Sequence, residues 1–170
     1  SEVWLKPNGY VLGDVLKAIT RADFIVLAPG DLFSSIIPVL LVRGVQEAVR
    51  RSRAKLVYVC NLVTTRGQTD GFEVADFVET LEKYLPRRID AVVHHKNGID
   101  TRLIRRYARK DQAQPVKHED MTRLGSSRIV VAAQLIARGE LVRHDPERLG
   151  QVLGEVFKQC RRGSGRRRAH

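Results

Sequence analysis

A chain of 170 residues, 43% of them hydrophobic, can bury an apolar core without staples, and its two cysteines, Cys60 and Cys160, fit no CxxC or Cys/His ligand spacing. The formal charge of +11 raises nucleic acid as a partner, but five arginines (Arg161, Arg162, Arg166, Arg167, Arg168) fall in a Gly/Ser-interrupted tail and the others are dispersed without interleaved aromatics. That pattern reads as a solvated basic face, with nonspecific attraction to phosphate left open, and the absence of a run near ~20 apolar residues or of a signal-peptide layout points to a cytoplasmic chain without a membrane partner.

Short β-branched runs alternate with amphipathic segments of helical length, the pattern of βαβ units building a parallel sheet. The fold class expected is α/β: a doubly wound, Rossmann-like, mostly parallel sheet with helices on both faces. Val3 to Leu5 is a candidate strand, and Val11, Leu12, Val15, Leu16 and Ile19 recur at helical spacing. Phe24 to Leu27 is apolar throughout, as a strand covered on both faces should be, and it ends in Pro29-Gly30. Asp31 to Arg53 predicts one or two helices broken near Pro38 and Gly44, and Leu56 to Cys60 predicts the third strand.

A polar loop from Asn61 to Gly71 follows. Beyond it, Val74, Phe77, Val78, Leu81 and Leu85 form one apolar stripe opposite Glu79, Glu82 and Lys83, which predicts a helix over 73–85. Ile89 to His94 predicts a strand, Thr101 to Arg109 a helix, and Pro115-Val116 and Ile129 to Ala133 short extended segments. A last helix runs from Pro146 to Lys158, so that residues 1–160 make one α/β unit and 161–170 a basic disordered tail.

Ligands of an open parallel sheet settle outside the carboxyl ends of its strands, and two loops meet that condition. In Pro29-Gly30-Asp31-Leu32-Phe33-Ser34-Ser35, Gly30 permits a tight turn, while Ser34, Ser35 and free backbone N–H groups suit an anion or a sugar hydroxyl. Asp31 would repel a bare phosphate and suits a hydroxyl or a metal-bridged phosphate; alternatively, Asp31, Ser34 and Ser35 only cap the following helix. The second loop carries Asn61, Thr64, Thr65, Arg66, Gln68, Thr69 and Asp70, of which Asn61, Thr64, Thr69 and Asp70 are the candidate ligand contacts, and it is longer than the roughly 2 to 6 residues usual for such connections. Asp70 with Glu73 three residues on resembles a capping box. His94 and His95 end a strand at the same edge, where a polar strand end is favoured over an acid/base role. In Arg143-His144-Asp145-Pro146, an Asp N-cap followed by Pro explains a helix start, and Arg143 is the residue left to reach a ligand.

The run Ala22 to Pro38, with Gly44-Val45-Gln46-Glu47-Ala48, Val57 to Thr64 and Gly67-Gln68-Thr69-Asp70-Gly71-Phe72, resembles the signature of the CofD/YvcK-like family of gluconeogenesis factors and 2-phospho-L-lactate transferases. The resemblance implies the C-terminal half of a nucleotide-binding fold, an incomplete fragment of a larger domain whose partner is the other half, carrying a Gly-rich nucleotide loop. It also implies a nucleotide or UDP-sugar ligand, possible Mg²⁺ and no covalent cofactor, with a homo-oligomer open. One branch of the family transfers a phospholactyl group from a nucleotide donor to a deazaflavin; the other looks regulatory, binding UDP-sugars in carbon metabolism and cell-shape control. The Thr64-to-Phe72 stretch and the Arg143-to-Pro146 ending are more similar to the regulatory branch. Two departures stand out: Ala28 where the family pattern has glycine, and His94-His95 where it has asparagine.

Overall fold

The computed structural model describes residues 3–96, 98–110 and 113–166. Four parallel strands form its sheet: β1 (Phe24–Leu27), β2 (Lys55–Val59), β3 (Ala91–His95) and β4 (Ile129–Ala133), side by side in sequence order. The register sets Leu27 beside Tyr58, Val59 beside Val93 and His95 beside Ala133, so all four carboxyl ends emerge at one rim. Parallel strands need crossovers long enough to return the chain, and helices supply them. These are α1 (Gly13–Arg21) ahead of β1, α2 (Ile37–Leu41) and α3 (Val45–Arg51) between β1 and β2, α4 (Val74–Glu82) between β2 and β3, α5 (Thr101–Lys110) between β3 and β4, and α6 (Pro146–Arg166) at the end.

Because strand side chains alternate, β2 sorts its residues between two cores. Leu56, Tyr58 and Cys60 face one side with Leu40, Val49, Val74, Phe77, Val78 and Leu81; Val57 and Val59 face the other with Leu135, Val156 and Cys160. Helices therefore cover both faces, as the sequence predicts. α4 owes its place to its stripe: Val74, Phe77, Val78 and Leu81 fall on one side of the helix and all are buried. Its start is fixed by a reciprocal pair in which Asp76 accepts the Glu73 N–H (2.8 Å) and Glu73 accepts from the N3 backbone. The capping box thus lies at Glu73 and Asp76, one turn later than Asp70 and Glu73. Gly44 opens α3 with φ of +100°, and a Cβ there would meet Val11 Cγ1 at 2.8 Å, so neither the turn nor the packing tolerates a side chain.

Several segments differ from expectation. Val3 to Leu5 is not a strand: no strand pairing to it occurs among the described residues, and Trp4 lies 76% exposed. Pro115-Val116 makes only an isolated bridge, with Pro115 opposite Val63 and the Val116 N–H donating to the Leu62 carbonyl (3.0 Å). The Asp31-to-Arg53 region begins with a π-helical turn (Leu32–Ile36), and Pro38 sits in the first turn of α2, where its missing N–H is no loss. α6 does not stop at Lys158, and Arg161 and Arg162 belong to it and not to a disordered tail. Phe157 stacks on Phe24 (4.1 Å between centroids), Cys160 is buried, and the Arg161 guanidinium lies 5.7 Å over the Phe24 ring, which keeps the chain helical to Arg166. Arg167 and Arg168 lie outside the described residues.

The amino ends of the strands are tied by charge. Asp90 accepts the Leu56 N–H (2.9 Å), Lys55 Nζ (2.8 Å) and Arg87 (3.2 Å). Beneath β4, Glu82 receives both the Ile89 N–H (2.7 Å) and Arg128 (2.7 Å), whose side chain is 3% exposed. Phe77→Ala should lower folding stability by about 3–5 kcal/mol in urea titration, against less than about 0.5 kcal/mol for the exposed Val39→Ala. Arg128→Ala, which leaves the Glu82 carboxylate without its cation, should cost about 3–5 kcal/mol in the same measurement.

Candidate functional site

At the carboxyl rim, the exits of β1 and β2 are joined by one side chain. The Asn61 carboxamide donates from Nδ2 to the Gly30 carbonyl (2.9 Å) and accepts the Gly30 N–H on Oδ1 (3.2 Å). This two-point grip fixes the β1 loop against the β2 loop and uses both ends of the amide. Gly30 does not adopt a positive φ, and a Cβ there would make only ordinary contacts with Ile36 and Ser35, the nearest at 3.6 Å. Tight-turn geometry is therefore not its reason for being glycine.

Asp31 follows directly. Its side chain makes no cap bond to the π-helical turn; its carboxylate accepts the Thr65 hydroxyl instead (2.9 Å), a second tie between the two loops. Ser34 and Ser35 are exposed in that turn, and the Ser35 N–H donates to the Asp31 carbonyl (2.9 Å). Gly30, Asp31, Ser34, Ser35 and Asn61 are thus brought together, and Thr65 joins them. Thr65 is legible as one of the polar residues of this loop but not as a member of the contact set, because only the fold shows its hydroxyl reaching Asp31.

The other loop residues face inward or toward their own turn. Thr64 is buried: its N–H donates to the Gln114 carbonyl (2.7 Å) and its hydroxyl accepts the Gln114 N–H (3.1 Å). Thr69 is buried too, accepting the Thr65 N–H (2.8 Å), while Asp70 accepts the Gly67 N–H (2.6 Å). All three shape the loop that presents Thr65. Arg143 is exposed between β4 and α6, and no described hydrogen bond or ion pair joins its side chain to the Gly30 rim. Asp145 is the N-cap of α6, accepting the N–H groups of Glu147 and Arg148, both at 3.1 Å.

Histidines cluster beside the rim to an extent the sequence does not announce. His94 and His95 close β3, one toward each sheet face. The His94 ring lies 5.1 Å from that of His118, and its Nδ1–H donates to the His95 carbonyl (3.0 Å). His95 accepts the Leu135 N–H on Nδ1 (3.1 Å), which places the proton of the neutral ring on Nε2. Burial holds His94, His95 and His144 below the ordinary imidazole value of 6.5. The carbonyls of His95, of Ala133 and Gly98, and of Cys60 respectively act the other way, and neighbouring imidazoles add to the depression. A cavity of ≈ 10 Å³ lies between Asn61, His94, His95, Ile99 and Pro115.

Chemically, the rim offers hydroxyls, backbone and the exposed carboxylate of Asp31, with the exposed Asp70 turned to the Gly67 N–H. Among the described residues no three His, Cys, Asp or Glu side chains converge as a metal-ligand set. A magnesium ion at Asp31 would draw its remaining oxygens from ligand phosphates and solvent. Cys60 is no nucleophile: burial pushes its thiol up to about 12. No helix among the described residues is long and apolar enough to cross a membrane.

Comparison with known proteins agrees with this architecture. A gluconeogenesis factor of Bacillus subtilis is 30% identical over 87% of this chain and 47% of its own length. A relative from Thermotoga maritima is 36% identical over 86% of this chain and 48% of its own length. The crystal structure of a UPF0052-family protein from Bacillus halodurans superimposes with a TM-score of 0.77 at 30% identity, covering 84% of this chain and 46% of that one. The chain spans about half the length of these relatives. Residues 1–136 match the family described as 2-phospho-L-lactate transferase CofD, and the chain belongs to that family.

Proposed function

We propose that this chain supplies one wall of a nucleotide-sugar site, with a UDP-sugar as ligand, in a regulatory protein of the gluconeogenesis-factor type acting in carbon metabolism and cell-shape control. The observation that carries the reading is the Asn61 grip on Gly30, which assembles Asp31, Ser34, Ser35 and Thr65 into one rim. Exposed hydroxyls beside a single carboxylate suit sugar and ribose hydroxyls, for which Asp31 is an acceptor, better than a naked phosphate. The name gluconeogenesis factor borne by the Bacillus subtilis relative supports the regulatory role. The family's transferase name supports a second reading, transfer of a phospholactyl group to a deazaflavin, in which Asp31 holds a metal-bridged phosphate.

The opposite wall belongs, in this proposal, to a second half of the same fold. β1 is an edge strand with Val26 37% exposed, and Tyr10, Leu12 and Val15 lie exposed ahead of it, offering an apolar flank for that half. Arg143 would approach a diphosphate from the β4 side.

Calorimetry on the natural polypeptide containing this chain should show heat on titration with UDP-N-acetylglucosamine. No heat at millimolar ligand, with the protein shown folded, would count against the regulatory reading, and product formation with a deazaflavin acceptor would favour the transferase. Asn61→Ala should weaken ligand binding by roughly tenfold and lower stability by about 1–3 kcal/mol, since the Gly30 N–H and carbonyl both lose their partner.

A further inference from the structure

The segment from Leu135 to Asp145 returns across the rim after β4. It is closed on itself by the Ile136–His144 bridge, by the Ala137 N–H on the Arg143 carbonyl (3.0 Å) and by the Asp145 N–H on the Leu135 carbonyl (2.7 Å). Leu135 at its start is fully buried in the core, and its N–H donates to His95 Nδ1 at the end of β3 (3.1 Å); near its other end the His144 ring holds a buried Nε2 without a partner among the described residues. We propose that His95 and His144 form a proton-operated latch, which holds the 135–145 hairpin closed over the rim while both rings are neutral and releases it when they are protonated.

The chemistry follows from which nitrogen is occupied. Neutral His95 carries its proton on Nε2, so a second proton can enter only at Nδ1, where the Leu135 N–H already points. Protonation would set two donors face to face and break that bond. In His144 the buried Nε2 has no partner among the described residues, so an imidazolium there would carry an Nε2–H with no acceptor. Two imidazolium charges would then oppose each other, with His94 and His118 adding to the repulsion on His95.

No carboxylate acts on either ring. The groups facing them are the carbonyls of Gly98, Ala133 and Cys60 and the other histidines. Asp145 is committed to the Glu147 and Arg148 N–H groups and the Arg148 side chain, and Asp100 to the Arg102 N–H. Lys96, Arg138, Glu140 and Arg143 are exposed. The sign is that of a histidine held neutral by the fold: the contribution is complete above the ordinary imidazole range and is lost as pH falls below it, where the opened chain takes up protons that the closed one refuses.

Release would carry Arg143 away from the rim, so the latch would regulate the ligand site proposed above. Its test reads backbone exchange without ligand, and the two can fail separately. Amide exchange on the natural polypeptide, corrected for intrinsic rate, should show protection of residues 135–145 falling roughly tenfold between about pH 7.5 and about pH 5, while α4 changes little. His95→Asn, whose side-chain oxygen can still accept the Leu135 N–H but takes no proton, should remove the pH response. Should that variant not fold, histidine nitrogen NMR on the unaltered protein replaces it: His95 Nδ1 should gain its proton in the pH range where the hairpin loses protection. An unchanged hairpin down to about pH 5, equal loss across α4, a persistent response in His95→Asn, or protonation of His95 with the hairpin still protected would each overturn the latch.

Discussion

A parallel sheet brings its strand ends to one edge but leaves the loops beyond them independent, because nothing in strand pairing extends past the last ladder bond. Here the Asn61 carboxamide supplies that extension. By meeting both the N–H and the carbonyl of Gly30, it links the two chains again beyond the last ladder pair, Leu27 with Tyr58, with a side chain in place of a backbone. The Asp31–Thr65 bond adds a second rung at the surface. Every residue suggested for ligand contact on this side of the rim depends on those rungs for its position.

The two ends of the sheet are built differently. At the amino ends, Asp90 with Lys55 and Arg87, and Glu82 with Arg128, hold strands through ion pairs that also satisfy backbone N–H groups. At the carboxyl ends no ion pair makes the ties described: an amide, a hydroxyl on the Asp31 carboxylate, and an imidazole. The ion pairs at the foot bind strand to strand and strand to helix, while the His95 tie at the rim is one that a proton can alter, at the end where ligands of such sheets settle.

Much of this was legible in the residues. The stripe Val74, Phe77, Val78, Leu81 declares α4 because its spacing can bury only one side of a helix, and the β-branched runs near 24–27, 56–60, 89–94 and 129–133 declare parallel strands; the central two are buried, whereas the outer two, β1 included, are only partly covered. Val3 to Leu5 misled because a strand needs a neighbour, which local sequence cannot promise. Local sequence also stopped α6 too early: Arg161 is held by Phe24 and Asp23, more than a hundred positions away. At the site, the polar loops were visible but not the direction of their side chains. Thr64 and Thr69 look like ligand groups until Gln114 and Thr65 are seen to claim them. The histidines were invisible as a group, since His95 and His144 come from separate segments and only the return of the hairpin brings them together.

Glu82 answers to two claimants, the Ile89 amide and the Arg128 guanidinium, in a place nearly closed to solvent. Altering either member alone strands the other, so evolutionary drift at the foot of the sheet is confined to paired exchanges. The rim is under no such rule: Ser34 and Ser35 face water without partners to betray, and can be traded singly. A lineage could therefore vary the rim one codon at a time while inheriting its foundations as indivisible units.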